Sequence, residues 1–288
     1  MSQDQDKKVE HQKVAVVTGS SSGIGKEIAI TLAKNNFLTY ATMRDPKKGQ
    51  DFKSQADKEN LPLKIVELDV TKDTSVNNAV QSITNEASRI DVLINNAGYG
   101  LMGAFEELPI EEIKAEFDTN IFGLIRTTQA VLPVMGKQNS GFIINISSGA
   151  GRFGYPGASA YVSTKFAVEG LTESISYELE PFGIKVILIE PGFIKTNFQQ
   201  AIIRSQHPDS PYSMMQKRAA ASSQFFQHGS EPELVAKTVL TAINTPPPVG
   251  KDVEEWVKSK NSMTDAEFHD MMMKGFAAIG PNAGQTLQ

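Results

Sequence analysis

The chain has 288 residues, of which 40% are hydrophobic and 21% are charged, a composition typical of a globular protein with ample material for a large core. Its formal net charge of −5 gives no indication of a nucleic-acid partner. The absence of cysteine excludes disulfides and thiol nucleophiles, and the four histidines lack metal-ligand spacing, so no metal site is predicted.

The N-terminal segment 1–12 is polar and charged, and we expect it to be a flexible tail. It lacks the apolar run of a signal peptide. No apolar stretch reaches the roughly 20 residues that a membrane-spanning helix needs. A soluble, cytoplasmic protein is therefore predicted.

Short apolar, β-branched runs alternate with longer segments of helical periodicity up to residue 190. The predicted strands are 13–18, 37–43, 63–68, 90–95, 141–147 and 184–190. The predicted helices are 24–35, 47–57, 74–88, 110–136, 159–180 and 232–244, the second of them starting at the Asp45–Pro46 pair. Such strands, apolar throughout, are typical of sheets covered on both faces. The predicted fold is α/β, a doubly wound parallel sheet of the Rossmann type in a single domain, 13–250.

The segment 193–230 has a weaker pattern and is rich in Ser and Gln. Long irregular segments in compact domains are often functional, so it is interpreted as a substrate lid, with a surface excursion as the alternative. Its large apolar residues either line a substrate pocket or pack the lid onto the core; they are Met214, Met215, Phe225 and Phe226. The remaining segment, 251–288, is predicted to be a helical tail packed on or near the domain.

A glycine-rich turn, TGSSSGIG, follows the first predicted strand and opens the first predicted helix. Gly19, Gly23 and Gly25 allow a tight turn and close approach of a pyrophosphate, which the helix N-terminus attracts. A glycine motif by itself is weak evidence, but its place between a strand and a helix favours a dinucleotide site.

The residue after the second strand indicates which dinucleotide is bound. An acidic residue there would bond the ribose hydroxyls of NAD, but this sequence has Met43 followed by Arg44. A guanidinium suits the 2′-phosphate of NADP, and Ser22 offers a further donor. We therefore predict NADP(H), with NAD(H) as the less favoured alternative if Arg44 is only a surface residue.

Two further strand ends fit the same cleft. Asp69 follows the third strand, where its carboxylate is able to bond the adenine amino group, and NNAGYG (95–100) follows the fourth. Ligands of such sheets bind at the carboxyl ends of the strands.

The stretch YVSTK places Tyr161 and Lys165 four residues apart, on one face of a predicted helix. A nearby ammonium group lowers the pKa of a tyrosine, and this makes the tyrosine useful as an acid or base near neutral pH. Ser148, thirteen residues before Tyr161, is expected to bond the substrate oxygen, although only spacing distinguishes it from Ser147.

Together, TGSSSGIG, NNAG, ISS…YVSTK and PGFIKT make residues 12–250 resemble the short-chain dehydrogenase/reductase family. The resemblance implies a catalytic tetrad of Asn120, Ser148, Tyr161 and Lys165. In the family, the asparagine kinks its helix and holds a water, and the lysine also bonds the nicotinamide ribose. The cofactor-binding residues that the resemblance and the motifs predict are Gly19, Ser21, Ser22, Gly23, Ile24, Gly25, Arg44, Asp69, Val70, Asn96, Ala97, Gly98, Tyr161, Lys165, Pro191, Gly192, Ile194 and Thr196.

The resemblance implies an oxidoreductase that moves a hydride between a nicotinamide and a carbonyl or alcohol. The motifs look closest to hydroxysteroid and retinol dehydrogenases, so a bulky apolar substrate is expected. A 3-oxoacyl thioester reductase and a catalytically silent NADP(H)-binding module are the alternatives. The family implies a homodimer or homotetramer, and helix packing against Gly170 would explain that mid-helix glycine. The last strand of the family sheet, near 246–252, is poorly indicated.

Overall fold

We describe a computed structural model of the chain over residues 12–204, 209–214, 217 and 228–244. The strands are β1 Val14–Val17, β2 Leu38–Met43, β3 Leu63–Glu67, β4 Val92–Asn95, β5 Leu101–Met102, β6 Gly141–Ile146, β7 Ile184–Ile189 and β8 Ile203–Arg204. The α-helices are α1 Gly23–Lys34, α2 Gln50–Lys58, α3 Asp73–Ala87, α4 Ile110–Phe117, α5 Gly123–Gln138, α6 Ser159–Leu179, α7 Phe198–Ala201 and α8 Pro232–Asn244.

Six parallel strands form the main sheet in the order β3-β2-β1-β4-β6-β7. The chain moves outward from β1 to β3 and then returns to place β4 on the other side of β1. This reversal leaves a crevice at the carboxyl ends of β1 and β4, the usual ligand site of doubly wound sheets. The fold class predicted from the sequence is confirmed.

Alternate residues of each strand face opposite sides of the sheet, and both sides are covered. In β1, Ala15 and Val17 belong to a core built with α1 and α8, whereas Val14 and Val16 belong to one built with α3 and α5. Burial on both faces explains why the strand sequences are apolar throughout instead of alternating.

The single predicted helix 110–136 is wrong in one respect. A π-helical turn, Asp118–Phe122, separates α4 from α5. The turn brings Asn120 inward, where its side chain is 3% exposed. π-Helical turns are frequent at functional sites, and the kink that the resemblance implied at Asn120 is present.

The helix start predicted at Asp45 is confirmed, because its carboxylate accepts a hydrogen bond from the Lys47 backbone N at 3.0 Å. A 3-10 turn, Pro46–Gly49, then leads into α2.

Two short connections at the predicted lid have no counterpart in the predictions. β5 pairs with β8 in parallel, which joins the loop after β4 to the segment after β7. Ile194 and Ser230 form a parallel bridge, supported by an ion pair between Lys195 and Glu231 at 2.7 Å. The start and end of segment 193–230 therefore meet.

Several predictions fall outside the described residues: nearly all of the N-terminal tail, the helical tail 251–288, the strand near 246–252, and Met215, Phe225 and Phe226. Within the described ranges, no helix is both long and apolar enough to cross a bilayer.

Candidate active site

The glycine turn after β1 is held by the stretch that follows β4. Gly19 has a left-handed φ of +63°, and a Cβ there would lie 2.7 Å from the Ala97 Cα, so only glycine fits. The Asn96 amide donates to the carbonyl oxygens of Thr18 and Gly19, both at 3.0 Å. Asn96, predicted to bind cofactor, thus supports the turn through its side chain.

The N-terminus of α1 opens into a cleft lined by Ser21, Ser22 and Gly23. The Ser22 side chain makes no capping hydrogen bond to the helix, so the first-turn N–H groups remain available to an anion. Lys26, Lys48 and Lys195, which the sequence did not indicate, line the same cleft together with Glu27 and Asp51. The cleft therefore offers ammonium groups to the phosphates of a dinucleotide, although its charge is nearly balanced.

Arg44 is exposed directly after β2, close enough to influence the Asp69 carboxylate. Burial raises the pKa of Asp69, but hydrogen bonds from Thr71 and the charges of Lys72 and Arg44 outweigh it and lower the pKa overall. The Asp69 Oδ1 accepts from the Thr71 N and Oγ1 at 3.0 and 2.7 Å. Asp69 is therefore an anion with one oxygen already engaged.

Ser148, Tyr161 and Lys165 come together where β6 meets α6. The Ser148 hydroxyl lies close enough to the Tyr161 phenol to lower its pKa. The Lys165 Nζ donates to the Ile146 carbonyl at 3.0 Å and lies 5.7 Å from the Tyr161 ring centroid. Tyr161 and Lys165 are 7% and 9% exposed, so this pair is not a solvated helix face.

The pKa values of the pair differ from the expectation. Burial raises the pKa of Tyr161 to about 12, although the Ser148 hydroxyl acts to lower it. Burial also lowers the pKa of Lys165 to about 8, against the charges of Glu116 and Glu169. Burial is the largest cause of each shift, and Lys165 is not among the causes that act on Tyr161, so the expected lowering of the tyrosine pKa by the lysine is not found in the protein without cofactor.

Asn120 connects this group to the loop after β4. Its Nδ2 donates to the Tyr99 carbonyl at 2.9 Å and to the Thr164 Oγ1 at 3.1 Å, while its Oδ1 accepts from the Tyr99 N at 3.1 Å. Thr164 in turn donates to the Tyr161 carbonyl at 2.7 Å. Thr164 is a residue that the sequence reasoning missed, although it lies within YVSTK.

Glu116 is a second residue that was missed. It is fully buried, and its Oε1 accepts from the Leu101 N at 2.7 Å. Burial raises its pKa to about 7, while the Leu101 hydrogen bond and the charge of Lys165 act to lower it. Glu116 lies one turn before Asn120, near the end of α4, and nothing in the sequence there indicates that its side chain is buried.

The loop after β7 closes the other side of the crevice. The Pro191 carbonyl accepts from the Gly149 N at 3.1 Å, beside Ser148. Thr196 lies opposite the glycine turn, since a Cβ at Gly23 would be 3.3 Å from the Thr196 Cβ. Ile194 is buried through the lid bridge and Gly192 is exposed.

An apolar wall surrounds the Tyr161 ring. The Phe198 ring centroid lies 6.0 Å from it, in a tilted arrangement. A Cβ at Gly100 would be 3.5 to 3.6 Å from Met102, Ile202 and the Tyr161 ring. Met214, predicted from the sequence as a possible pocket residue, is 64% exposed. The described residues thus place other apolar side chains at the site.

The donor set suits a nicotinamide dinucleotide: a glycine cradle, a helix N-terminus, flanking lysines, and a buried Tyr–Lys–Ser group at the far end of the crevice. Within the part of the chain that the structure describes, no three acidic or histidine side chains cluster closely enough to hold a metal ion.

Comparison with known proteins gives a matching family and several relatives. The family described as short chain dehydrogenase matches residues 13–207. A 3-ketodihydrosphingosine reductase of Bacteroides thetaiotaomicron is 42% identical over 187 residues, which cover 65% of this chain and 65% of that protein. Retinol dehydrogenase 8 of Bos taurus is 34% identical over 249 residues, or 82% of this chain and 79% of that protein.

Among solved structures, a short-chain dehydrogenase from Streptomyces avermitilis superposes with a TM-score of 0.79 at 31% identity. The superposition covers 93% of this chain and 98% of the other. The sheet order and the crevice are therefore features of a known fold.

Proposed function

The chain belongs to the short-chain dehydrogenase family, and on that premise we propose that it is an NADP(H)-dependent oxidoreductase acting on a bulky apolar ketone or secondary alcohol. The family assignment itself makes the chain an oxidoreductase that uses a nicotinamide cofactor and acts between CH–OH and C=O groups. NADP(H) as the cofactor, and the apolar class of substrate, are the proposed parts.

The observation that carries the proposal is the buried Ser148–Tyr161–Lys165 group at the end of β6. A tyrosine with a serine hydroxyl close enough to lower its pKa, and with an ammonium group beside it, offers two hydroxyl groups to one substrate oxygen. Burying a lysine is energetically costly. A solvated helix face would not bury it, and a silent binding module has no need of this arrangement.

In the proposed reaction, Tyr161 exchanges a proton with the substrate oxygen, and Ser148 stabilises the negative charge that develops on that oxygen. The bound nicotinamide supplies or accepts the hydride. Lys165 holds a positive charge close to the Tyr161 ring and favours its phenolate. Asn120 keeps the Tyr99 loop and Thr164 in place beside this group.

The phosphates are expected to lie at the N-terminus of α1, between the Gly19 turn and Thr196. Arg44 supports NADP(H), because a guanidinium next to the adenosine ribose site complements a 2′-phosphate. Asp45, the only acidic neighbour in that stretch, is engaged with the Lys47 backbone.

The apolar wall supports a bulky apolar substrate. Phe198 lies beside the Tyr161 ring, and Met102 and Ile202 lie with that ring around Gly100, where the carbon skeleton beyond the reacting carbonyl would pack. The similarity to a 3-ketodihydrosphingosine reductase and to a retinol dehydrogenase agrees with this class.

Turnover with a panel of ketones, aldehydes and 3-oxoacyl thioesters tests the proposal, measured as NADPH oxidation. We expect Tyr161→Phe to lower kcat by about 100-fold or more, because general acid–base catalysis contributes at least that much. Tyr177→Phe is the matched control, since Tyr177 lies on the same helix and is 69% exposed. Full turnover by a folded Tyr161→Phe variant would show the assignment of the acid to be wrong.

Cofactor preference is tested separately by binding. Arg44→Ala is expected to raise the Kd for NADPH by about 10-fold or more and to leave that for NADH unchanged, since a charge-assisted hydrogen bond contributes about 1.5–3 kcal/mol. Lys47→Ala, exposed nearby, serves as the control. An equal rise in the Kd values for NADPH and NADH would contradict the preference for NADP(H).

A further inference from the structure

Three consecutive residues at the end of β6 contact three residues on one face of α6. The Ile146 carbonyl accepts from Lys165 at 3.0 Å, and the Ser148 hydroxyl lies close enough to the Tyr161 phenol to lower its pKa. Between them, the Ser147 Oγ donates to the Glu169 Oε1 at 2.5 Å. Tyr161, Lys165 and Glu169 follow one another at four-residue spacing and therefore share a helix face. The proposed reaction uses the outer two pairs and leaves the pair of Ser147 and Glu169 without a role.

Glu169 is also connected to the loop after β7. The Arg152 Nη2 lies 3.3 Å from the Glu169 Oε2, and the Arg152 Nε donates to the Glu190 carboxylate. Glu190 immediately precedes Pro191. The Glu169 and Glu190 side chains are only 12% and 16% exposed, whereas the Arg152 side chain is 41% exposed. Two largely buried carboxyl groups therefore share one guanidinium that reaches the surface.

The backbone around the cluster couples the same two strand ends. The Ser147 N donates to the Ile189 carbonyl at 2.8 Å, and the Gly149 N donates to the Pro191 carbonyl at 3.1 Å. The turn that follows Ser148 closes directly over Glu169, because a Cβ at Gly151 would lie 2.5 Å from the Glu169 Oε1. Glu169 is thus in contact with the residues on both sides of Ser148.

The protonation of Glu169 explains how this carboxyl group tolerates burial. Burial is the largest cause that raises the pKa of Glu169 to about 8, and the hydrogen bond with Glu190 acts in the same direction, against the effects of Ser147 and Arg152. Glu169 is therefore largely protonated near neutral pH, and a neutral carboxyl group costs less to bury than a carboxylate.

We propose that Glu169 is a positioning residue which, with Ser147, Arg152 and Glu190, fixes Ser148 and the Pro191–Gly192 loop relative to Tyr161. The inference rests on the proposed function, because it assigns to Ser148 and Tyr161 the geometry that the reaction needs. Displacements of about 1 Å at such a site are able to lower the rate by about 100-fold.

The test removes the central bond from either side, by Ser147→Ala or Glu169→Ala. Each is expected to lower kcat by about 10-fold or more while the KM for the ketone changes less than threefold. Glu169→Gln retains an acceptor for Ser147 and is expected to keep more of kcat than Glu169→Ala. Both alanine variants remove the same Ser147–Glu169 hydrogen bond. The double variant is therefore expected to have a kcat no lower than that of the slower single variant. Glu173→Ala, exposed one turn further along α6, is the control.

A second readout does not depend on turnover. Hydrogen–deuterium exchange of the cofactor-free protein is expected to accelerate at 147–152 and 189–193 in both alanine variants, with the exchange of β1 unchanged. Glu190→Gln is expected to raise the Kd for NADPH at least threefold through the adjoining Pro191. A kcat within twofold of the parent together with unchanged exchange would overturn the inference. If the parent itself shows no turnover, the proposed function fails, while exchange at these two segments still decides whether Glu169 couples them.

Discussion

At the scale of single residues, burial decides the chemistry of the site more than proximity does. Tyr161 and Lys165 lie close together, yet burial raises the pKa of the first and lowers that of the second. Each shift favours the neutral form of its group. A further positive charge, such as that of an oxidised nicotinamide, is then needed in addition to that of Lys165 to favour the phenolate. We therefore expect cofactor binding to lower the pKa of Tyr161 more than removal of Lys165 raises it.

The buried carboxyl group of Glu116 is expected to make the free energy of unfolding depend on pH. Its pKa is raised to about 7 by burial, against about 4.3 for an unfolded glutamate. Between those values the folded chain binds more protons than the unfolded chain at this position, so its contribution to the free energy of unfolding falls as pH rises. Glutamine does not titrate. As pH rises from 5 to 8, the unfolding free energy of Glu116→Gln minus that of the parent is therefore expected to increase by on the order of 2 kcal/mol.

Urea unfolding of both proteins at the two pH values measures this difference. The Leu101 hydrogen bond is retained by the glutamine oxygen, so the comparison isolates the charge. A difference in unfolding free energy that does not change with pH would show that Glu116 is not protonated on folding.

At the scale of elements, the run from α4 to α5 depends on close contact at the π-helical turn. The first residue of α5, Gly123, lies so close to Val70 that a Cβ there would be 2.7 Å from the Val70 Cγ2. Val70 adjoins Asp69 at the predicted adenine site. The Arg126 guanidinium also bonds the Asp118 carboxylate at 2.8 Å, which ties α5 to the turn.

Two glycines of α5 are therefore expected to respond in opposite ways to alanine. Gly123→Ala is expected to lower the unfolding free energy by about 1–3 kcal/mol through overpacking against Val70. At Gly136, a Cβ would have no atom of the described residues within 4 Å. Gly136→Ala is therefore expected to raise the unfolding free energy by up to about 1 kcal/mol through helix propensity. Thermal unfolding measures both, and shifts of the same sign would contradict the packing argument.

At the scale of the whole molecule, α6 carries the site on one face and exposes another. Gly170 lies on this exposed side, and a Cβ there would have no atom of the described residues within 4 Å. Contacts within the described part of the chain therefore do not account for this glycine. Packing of a second copy against it, in a homodimer or homotetramer, remains our proposal.

Gly170→Ala tests that proposal. If α6 packs against another copy at Gly170, the variant is expected to dissociate at concentrations where the parent is assembled, because an added methyl group prevents close helix contact. Light scattering across a micromolar dilution series measures this, with Gly136→Ala as the control. A variant that is more stable by about 1 kcal/mol and equally assembled would place the interface elsewhere.

Local patterns in the sequence were sufficient for the fold and for much of the site. Apolar runs such as 141–147 predict covered strands because side chains alternate between two faces. The position of Gly19 between a strand and a helix predicts a tight turn. The four-residue spacing of Tyr161 and Lys165 predicts that both lie on one face of a helix. The sheet order and the convergence of Ser148, Tyr161 and Lys165 agree with those predictions.

Residues near one another in the chain were thus enough to predict the six strands of the main sheet, most of the helices, the glycine turn and the Tyr–Lys pair. The π-helical turn at Asn120, the contact of Phe198 with Tyr161, and the burial of Glu116 and Glu169 depend instead on tertiary packing. These features arise from contacts between residues distant in the chain. The pKa shifts follow in turn from burial, which depends on how the whole chain packs around each group.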